Sequence, residues 1–540
     1  MNNHGVVSQP DSAYFLRLGF NQLADVLALT LGPTKGSVLN FSTRNERPEM
    51  LNDAATIARR IIQIPDRRQD VGAMLLRQLV WQMHQQVGDG GAITAVIAKH
   101  TLDEATRMVA AGGIAPLIQN GIKKASAQAV DAIKAMSQPA DNEMALAAVA
   151  EAVTGHQKLS WILGEMFDIL GKYAFITVEK YMSSYLERIY LEGGRWSGKL
   201  ISPYLITAPA TQKAIQQDCY VALFAGKLHE HEDVAPLLSI IHQQKTKNLY
   251  LLAYDITSDA LNALVSAHQH QKNGINIVAG TLNIGGQQGV RELEDLAILT
   301  GATVLGDDLG RPLSSIKASE LGRVKRAEAD KENLYAIQGG GDPKRIREEI
   351  QSLQTLLDHT PPDDEDIGII HQRLARFSGS VGILQVGAIS QTERDVLEQK
   401  AKHATRALSA TLMEGYVPGG GVAYLHAAKA IDLDSAENDD ERMGMLALKN
   451  ALSAPFIQLL TNAGIYAPEV KMADVMAKGN GTVYHIIEED FVSAVDAGIV
   501  DATKMTRMAL ETAVSGAVMA LSVDVTVLKK KPRTNKDYTP

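Results

Sequence analysis

Val87-Gly88-Asp89-Gly90-Gly91 forms a tight turn between two segments of helical character. Residues 71–86 ahead of it are mostly apolar and Gln-rich with no proline, and residues 93–111 behind it resume a helical pattern. At a helix N-terminus such a turn can do two jobs. Its exposed N–H groups and the positive end of the helix dipole attract phosphate. Its small residues let a ligand approach the backbone, and its single carboxylate can ligate the Mg²⁺ that travels with a nucleoside triphosphate. Taken alone, a Gly-Asp-Gly turn is more often a plain helix–helix connection. Its meaning depends on which other stretches can meet it.

Upstream, Ser12 can cap a helix in which Leu16, Phe20, Leu23, Leu27 and Leu31 share one stripe. This helix runs into Thr30-Leu31-Gly32-Pro33-Thr34-Lys35-Gly36-Ser37, a Gly/Pro/Lys loop without the spacing of a Walker motif. By itself the loop reads as a helix C-cap and turn. Asn52-Asp53-Ala54 then opens a helix over 55–62, placing a second carboxylate at a helix start, where it also serves as a plain N-cap.

Downstream, residues 93–136 read as two helices broken at Ala111-Gly112-Gly113, with a boundary at Ser137-Gln138-Pro139. Two helical patterns and a short strand at 175–178 follow. From about Glu192 strand-like runs at 222–225, 249–253, 275–279 and 303–305 alternate with helices, as βα units do. Residues 342–358 and 365–377 predict a helical hairpin across Pro361-Pro362. Ser378-Gly379-Ser380-Val381-Gly382 is a hinge-like return into a strand at 383–386. A long helix over 391–414 leads into Gly415-Tyr416-Val417-Pro418-Gly419-Gly420-Gly421, and the remainder is helical again. Helix, then α/β, then helix implies one domain built from both termini with others inserted.

At 540 residues the chain should hold about two to four domains. Its 45% apolar and 21% charged residues are ordinary for a globular protein, and few aromatics with plentiful Ala and Gly suit close-packed helices. A net charge of −9 argues against general nucleic-acid or membrane-surface binding, although Lys529-Lys530-Lys531-Pro532-Arg533 is locally basic. Lone Cys219 excludes a disulfide framework and any Cys-based metal site. The polar first ten residues lack a signal-peptide core, and no apolar run approaches the ~20 residues of a membrane span. A cytoplasmic protein is expected, in the host cytoplasm if phage-encoded.

Together these residues resemble a group I chaperonin, of the GroEL type, over nearly the whole length. The landmarks occur in order: Thr30-Leu31-Gly32-Pro33, Asp53 before a helix, Gly88-Asp89-Gly90, Ser202-Pro203-Tyr204, Leu299-Thr300-Gly301, Val386-Gly387-Ala388, Gly419-Gly420-Gly421 and Asp501-Ala502-Thr503-Lys504. The resemblance implies a multidomain α and α/β subunit of a homo-oligomeric, seven-membered ring. Its helical equatorial domain (1–136 and 411–527) would bind ATP. A small α/β intermediate domain (137–191 and 378–410) would act as hinge, an α/β apical domain (192–377) would bind non-native protein, and 528–540 would be a flexible tail.

By the same resemblance Thr30, Leu31, Gly32 and Pro33 line a phosphate loop, and Gly88, Asp89, Gly90, Gly91, Ala92, Ile93 and Thr94 form the second phosphate contact. Asp89 holds Mg²⁺, with K⁺ a further candidate ion; Gly420 lies near the ribose, Asp501 hydrogen-bonds it, and Asp53 orients the attacking water. The sequence departs from the family at several of these places. A run of threonines after Gly-Asp-Gly is reduced to Thr94, the Lys-Asp-Gly element reads Asn52-Asp53-Ala54, and the Gly-Gly-Met tail is absent. The catalytic carboxylate of the intermediate-domain helix has no acidic counterpart: ungapped alignment puts His403 there, and alignment on His403-Ala404-Thr405-Arg406 puts Lys400 there. A neutral imidazole with an ordinary pKa of ~6.5 could accept one hydrogen bond from the water, which implies slow ATP turnover.

An ATP-driven folding machine is therefore expected. The alternative is a chaperonin-derived, nucleotide-binding holdase or scaffold with little or no hydrolysis. Client proteins should be held by Leu237, Leu238 and Ile241 of one helix and Leu261, Leu264 and Val265 of the next, with Leu205 nearby; part of this apolar set would be core. Ala235 and Ser266 are smaller or more polar than usual there, which weakens capture of clients and of any lid co-chaperonin. Ile457 and Tyr466 replace a charged contact between stacked rings, while Arg107 and Asp439-Asp440-Glu441 are candidates for a second one. The ring is expected to be single or weakly stacked.

Overall fold

The computed structural model describes residues 5–34, 36–41, 48–51, 53–61, 63–171, 174–191, 193–209, 212–269, 274–283, 286–306, 309–360, 366–379, 381–479 and 481–528. Asn52, Pro361-Pro362 and the basic tail lie outside these. The chain forms two compact units, one of residues 1–172 with 389–540 and the other of residues 173–388.

The first unit is helical and joins both ends of the chain: strand Val6–Ser8 pairs antiparallel with Val525–Val527. Helix Asp11–Ala28 buries Leu16, Phe20, Leu23 and Leu27 on one stripe, and Leu31, just past its end, is buried as well. Ser12 is not its cap. The helix starts one residue earlier, after Pro10, and buried Ser12 donates its hydroxyl to the Asp524 carbonyl at 2.8 Å. Helices Arg67–Val87, Gly91–Ala110 and Thr503–Leu521 pack against it, and Ala115–Met136 packs against the last of these.

Two residues without side chains make one of these crossings. A Cβ on Gly19 would lie 1.7 Å from the Gln69 carbonyl oxygen, and one on Gly72 would lie 1.9 Å from that of Leu16. Backbone therefore meets backbone, an approach no larger residue permits. The stretch Asp439–Asn462 is long and apolar enough to pass for a membrane span, contrary to the expectation above. It is two helices, Asp439–Ala451 and Ala454–Asn462, whose Met445, Leu448, Phe456 and Leu460 are buried.

The second unit is built on a sheet in the order 304–305, 214–228, 322–329, 333–339, 193–200, 276–282, 248–256. The last strand pairs back onto 214–228, closing six of the seven strands on themselves. Alternation assigns the two faces. Tyr220, Ala222, Phe224, Leu249, Leu251, Ile277 and Ala279 point into a core covered by helices His231–His242 and Ser258–Gln269. Cys219, Val221, Leu223, Tyr250, Leu252 and Val278 point into the other, with Leu293 and Leu296 of helix Gly286–Thr300. A three-stranded sheet sets Val381–Val386 between Phe175–Lys180 and Leu186–Leu191.

This packing corrects the expected client surface. Leu205, Leu237, Ile241 and Leu264 are fully buried in the first core; helical spacing turns the last three onto the strands, and Leu205 enters from the short turn Pro203–Leu205. Leu238, Leu261 and Val265 flank that core and remain partly exposed.

Replacing Gly72 by valine forces the Leu16 turn away and should cost on the order of 3 kcal/mol or abolish folding, read by denaturant unfolding. Gly368→Ala, at an exposed helical site with nothing near the added carbon, should stabilise by up to about 1 kcal/mol. Similar stability for the two variants would contradict the assigned crossing.

Candidate functional site

All the polar residues expected at the site belong to the first unit. The Gly-Asp-Gly turn reverses the chain between helices Arg67–Val87 and Gly91–Ala110 through two left-handed glycines, Gly88 (φ 89°) and Gly90 (φ 86°). Asp89 accepts a 2.7 Å hydrogen bond from the Gly90 N–H, so its carboxylate sits at the start of the second helix.

Three walls enclose this turn. A Cβ on Gly91 would stand 3.6 Å from Ala54 Cβ and 3.9 Å from the Ala55 nitrogen, which brings the start of helix Ala54–Arg60 alongside. Asp53 caps that helix, accepting from the Thr56 N–H at 2.7 Å. Gly90 faces Met83 and Met505, the latter at the start of helix Thr503–Leu521. Helix Gln391–Glu414 lies over Gly88: a Cβ there would come within 3.3 Å of the His403 carbonyl oxygen and 3.2 Å of Arg406 Cδ. His403, through its backbone, and Arg406, through its side chain, are thus the residues of this helix seen against Gly88.

The other two loops are held by helix Ala454–Asn462. Asn462 Nδ2 donates to the carbonyls of Ala28 and Leu31, both at 2.8 Å, and Leu459 packs under Gly32. The same helix abuts the Gly419-Gly420-Gly421 loop, where a Cβ on Gly421 would lie 2.8 Å from the Phe456 nitrogen. Strand Val500–Ala502 pairs with Tyr416–Pro418, setting Asp501 opposite Val417. Asp501 also lies near Asp89; desolvation first, then the Asp89 charge, pushes its carboxyl up to about 7.

The model of the TCP-1/cpn60 chaperonin family matches residues 23–531. The chain belongs to that family. Its fold is similar to crystal structures of the chaperonin gp146 from the bacteriophage EL 2 (Pseudomonas aeruginosa) in presence of ATP-BeFx. Crystal form I matches with a TM-score of 0.75 at 16% identity, and form II with 0.70 at 15%; each match covers 97% of this chain and 99% of that one.

Within this chaperonin several expected phosphate ligands are committed elsewhere. Thr94 is buried and donates its hydroxyl to the Gly90 carbonyl at 2.9 Å, and Thr30 likewise donates to Leu27 at 2.7 Å. Ile93 is buried and Ala92 partly so, leaving backbone rather than hydroxyls at this helix start. Mg²⁺, which the family implies, fits the donor set: Asp89 is a hard oxygen ligand beside a second carboxyl whose repulsion a cation relieves.

His84 was not singled out by the sequence, although it stands four residues before Gly88 on the last helical turn. Its ring lies 4.7 Å from that of His403 at 85°, and its carbonyl accepts from Gly88 N at 2.9 Å and Arg406 Nη1 at 3.3 Å. Burial, opposed by the Asp53 charge and reinforced by His84 and Arg406, lowers His403 to about 4. Burial likewise lowers His84. The expected titration of His403 near its ordinary value is therefore corrected: its imidazole is neutral at any physiological pH.

The sign follows from linkage. Unfolded His403 protonates near pH 6.5 and folded His403 near 4, so its contribution to stability is complete above pH 6.5 and is lost as pH falls toward 4. His403→Phe should flatten the fall in thermal midpoint across that window. A slope equal to that of the parent protein would refute the buried neutral imidazole.

Proposed function

We propose that this chaperonin is the subunit of an ATP-driven, seven-membered ring that captures non-native proteins and releases them on slow nucleotide turnover. The observation that carries the reading is the meeting of the Gly88-Asp89-Gly90 turn, the helix-capping Asp53 and His403 in one compact unit, with Asp501 close to Asp89. Residues 1–136 and 411–527 act as the equatorial part, 137–191 and 378–410 as the hinge, and 192–377 as the client-binding part.

Backbone N–H groups at the start of helix Gly91–Ala110, with the Gly32-Pro33 loop, bind the phosphates. Gly420 and Asp501 contact the ribose. Asp89 would hold Mg²⁺, which supplies charge neutralisation on the phosphate oxygens when bound. His403, through an unprotonated nitrogen, accepts a hydrogen bond from the attacking water, while Asp53 contributes its charge beside it. A carboxylate offers two acceptor oxygens and a negative charge, and losing such a group commonly costs on the order of 10²–10⁴ in rate. Turnover is accordingly slow, and His403, neutral throughout, adds no pH dependence of its own from pH 6 to 8.

Phosphate release, measured with and without an unfolded protein, is the test. Asp89→Ala should abolish it, and His403→Asp should raise it about tenfold or more. No phosphate release from the parent protein would favour a holdase instead. Leu238→Ser with Val265→Ser, on the partly exposed rim, should reduce retention of the unfolded protein several-fold; unchanged retention rejects that surface.

The ring is single or weakly stacked. Of the acidic run, Glu441 is buried on Lys124 at 2.9 Å and Asp440 accepts from the Ile114 N–H at 3.1 Å, while Arg107 pairs with Glu104 in its own helix. These groups are engaged within the subunit, and Tyr466, 94% exposed, carries no charge. Negative-stain images should contain seven-fold rings that are mostly unpaired; stable double rings joined through Arg107 would contradict this.

A further inference from the structure

We infer that His84 is a positioning residue for ATP hydrolysis, holding the imidazole of His403 in the one orientation that presents a nitrogen to the attacking water. The inference rests on the reading of His403 as the hydrogen-bond acceptor in the section above. Three observations carry it.

The first is geometric. The two rings meet edge to face, 4.7 Å apart and 85° from parallel, so rotation of either ring breaks the contact. The second is that His84 is itself held. Trp81, one helical turn earlier, stacks on it at 5.3 Å and 23°, and Arg59 covers the Trp81 ring at 5.1 Å. A run of flat groups from Arg59 through Trp81 and His84 thus ends on His403. The third is that the backbone joins the same parts. The His84 carbonyl accepts from both Gly88 and Arg406, tying the last turn of helix Arg67–Val87 to the phosphate turn and to the helix that carries His403.

A positioned acceptor of this kind has a specific need. A carboxylate offers two equivalent oxygens and tolerates rotation, whereas an imidazole has one unprotonated nitrogen and is useless when turned away. A histidine in this role requires a wall that a carboxylate does not. The charged and titratable groups facing the pair are Asp53 and Arg59 from helix Ala54–Arg60 and its cap, and Arg406 on the His403 helix. Burial favours the neutral form of both rings; the Asp53 charge opposes it, Arg406 reinforces it at both, and Arg59 reinforces it at His84.

The test compares steady-state ATP hydrolysis of the ring-forming full chain with its variants. His84→Ala frees the His403 ring and should lower kcat about ten- to a hundredfold with KM for ATP changed less than twofold. It should also move the acid limb of the rate upward, toward pH 6.5, as water reaches His403. His84→Phe keeps a flat ring and should restore most of the rate and the low acid limb. In a His403→Asp background, where no ring needs orienting, His84→Ala should change kcat less than twofold. Equal losses in both backgrounds, or failure of phenylalanine to rescue, would mean a merely structural role and overturn the inference. If His403→Ala lowers turnover but His84→Ala does not, the positioning role alone fails. If His403→Ala is itself silent, the reading of His403 fails and the inference falls with it.

Discussion

The first unit depends on a chain reversal in which no side chain fits. Gly88 and Gly90 both take left-handed backbone, and each is closed off by a neighbour: helix Gln391–Glu414 over Gly88, Met83 and Met505 over Gly90. Gly91 meets Val80 in the same way. The turn is therefore where helices from the two ends of the sequence come into contact. Residues far apart in the chain, Asp53, Asp89 and His403, are brought together as a consequence of that contact. Small residues are needed for the packing as much as for any ligand.

Electrostatics then divides the site in two. Near Asp89 and Asp501 the local charge is negative and desolvated, an arrangement that is unfavourable without a cation. The imidazoles of His84 and His403 are held toward the neutral form, because burial outweighs the attraction of the Asp53 charge beside them. The carboxyl pair is the side whose charge a cation would balance. The hydroxyls of Thr30 and Thr94 are turned back to the carbonyls of Leu27 and Gly90.

In the second unit a closed sheet takes most of the apolar surface. Helices His231–His242 and Ser258–Gln269 give their strongest hydrophobic stripes to the strands beneath, and Leu238, Ile240, Leu261 and Val265 stay partly exposed beside small or polar Ala235 and Ser266. Apolar area removed from water contributes about 25 cal/mol per Å², so most of the apolar surface of these helices stabilises the fold.

Much of this architecture was legible in the sequence. Long periodic segments gave their helices almost to the residue, as with Gln391–Glu414, because a stripe repeated over several turns leaves little choice of structure. The order of helical and α/β stretches, and the ordered Gly, Pro and Asp landmarks, carried the family. The turn at 87–91 was readable because glycine tolerates a backbone that other residues avoid. What periodicity could not decide was which apolar residues face out. Leu205, Leu237, Ile241 and Leu264 share their pattern with a binding surface, and only the sheet under them makes them core. Nor could a one-dimensional pattern pair His84 with His403, separated by more than half the chain, or staple Asn462 onto the loop after residue 28. Local chemistry writes helices, turns and caps into the sequence. Burial, and with it the protonation of a histidine, is a property of what the rest of the chain packs against it.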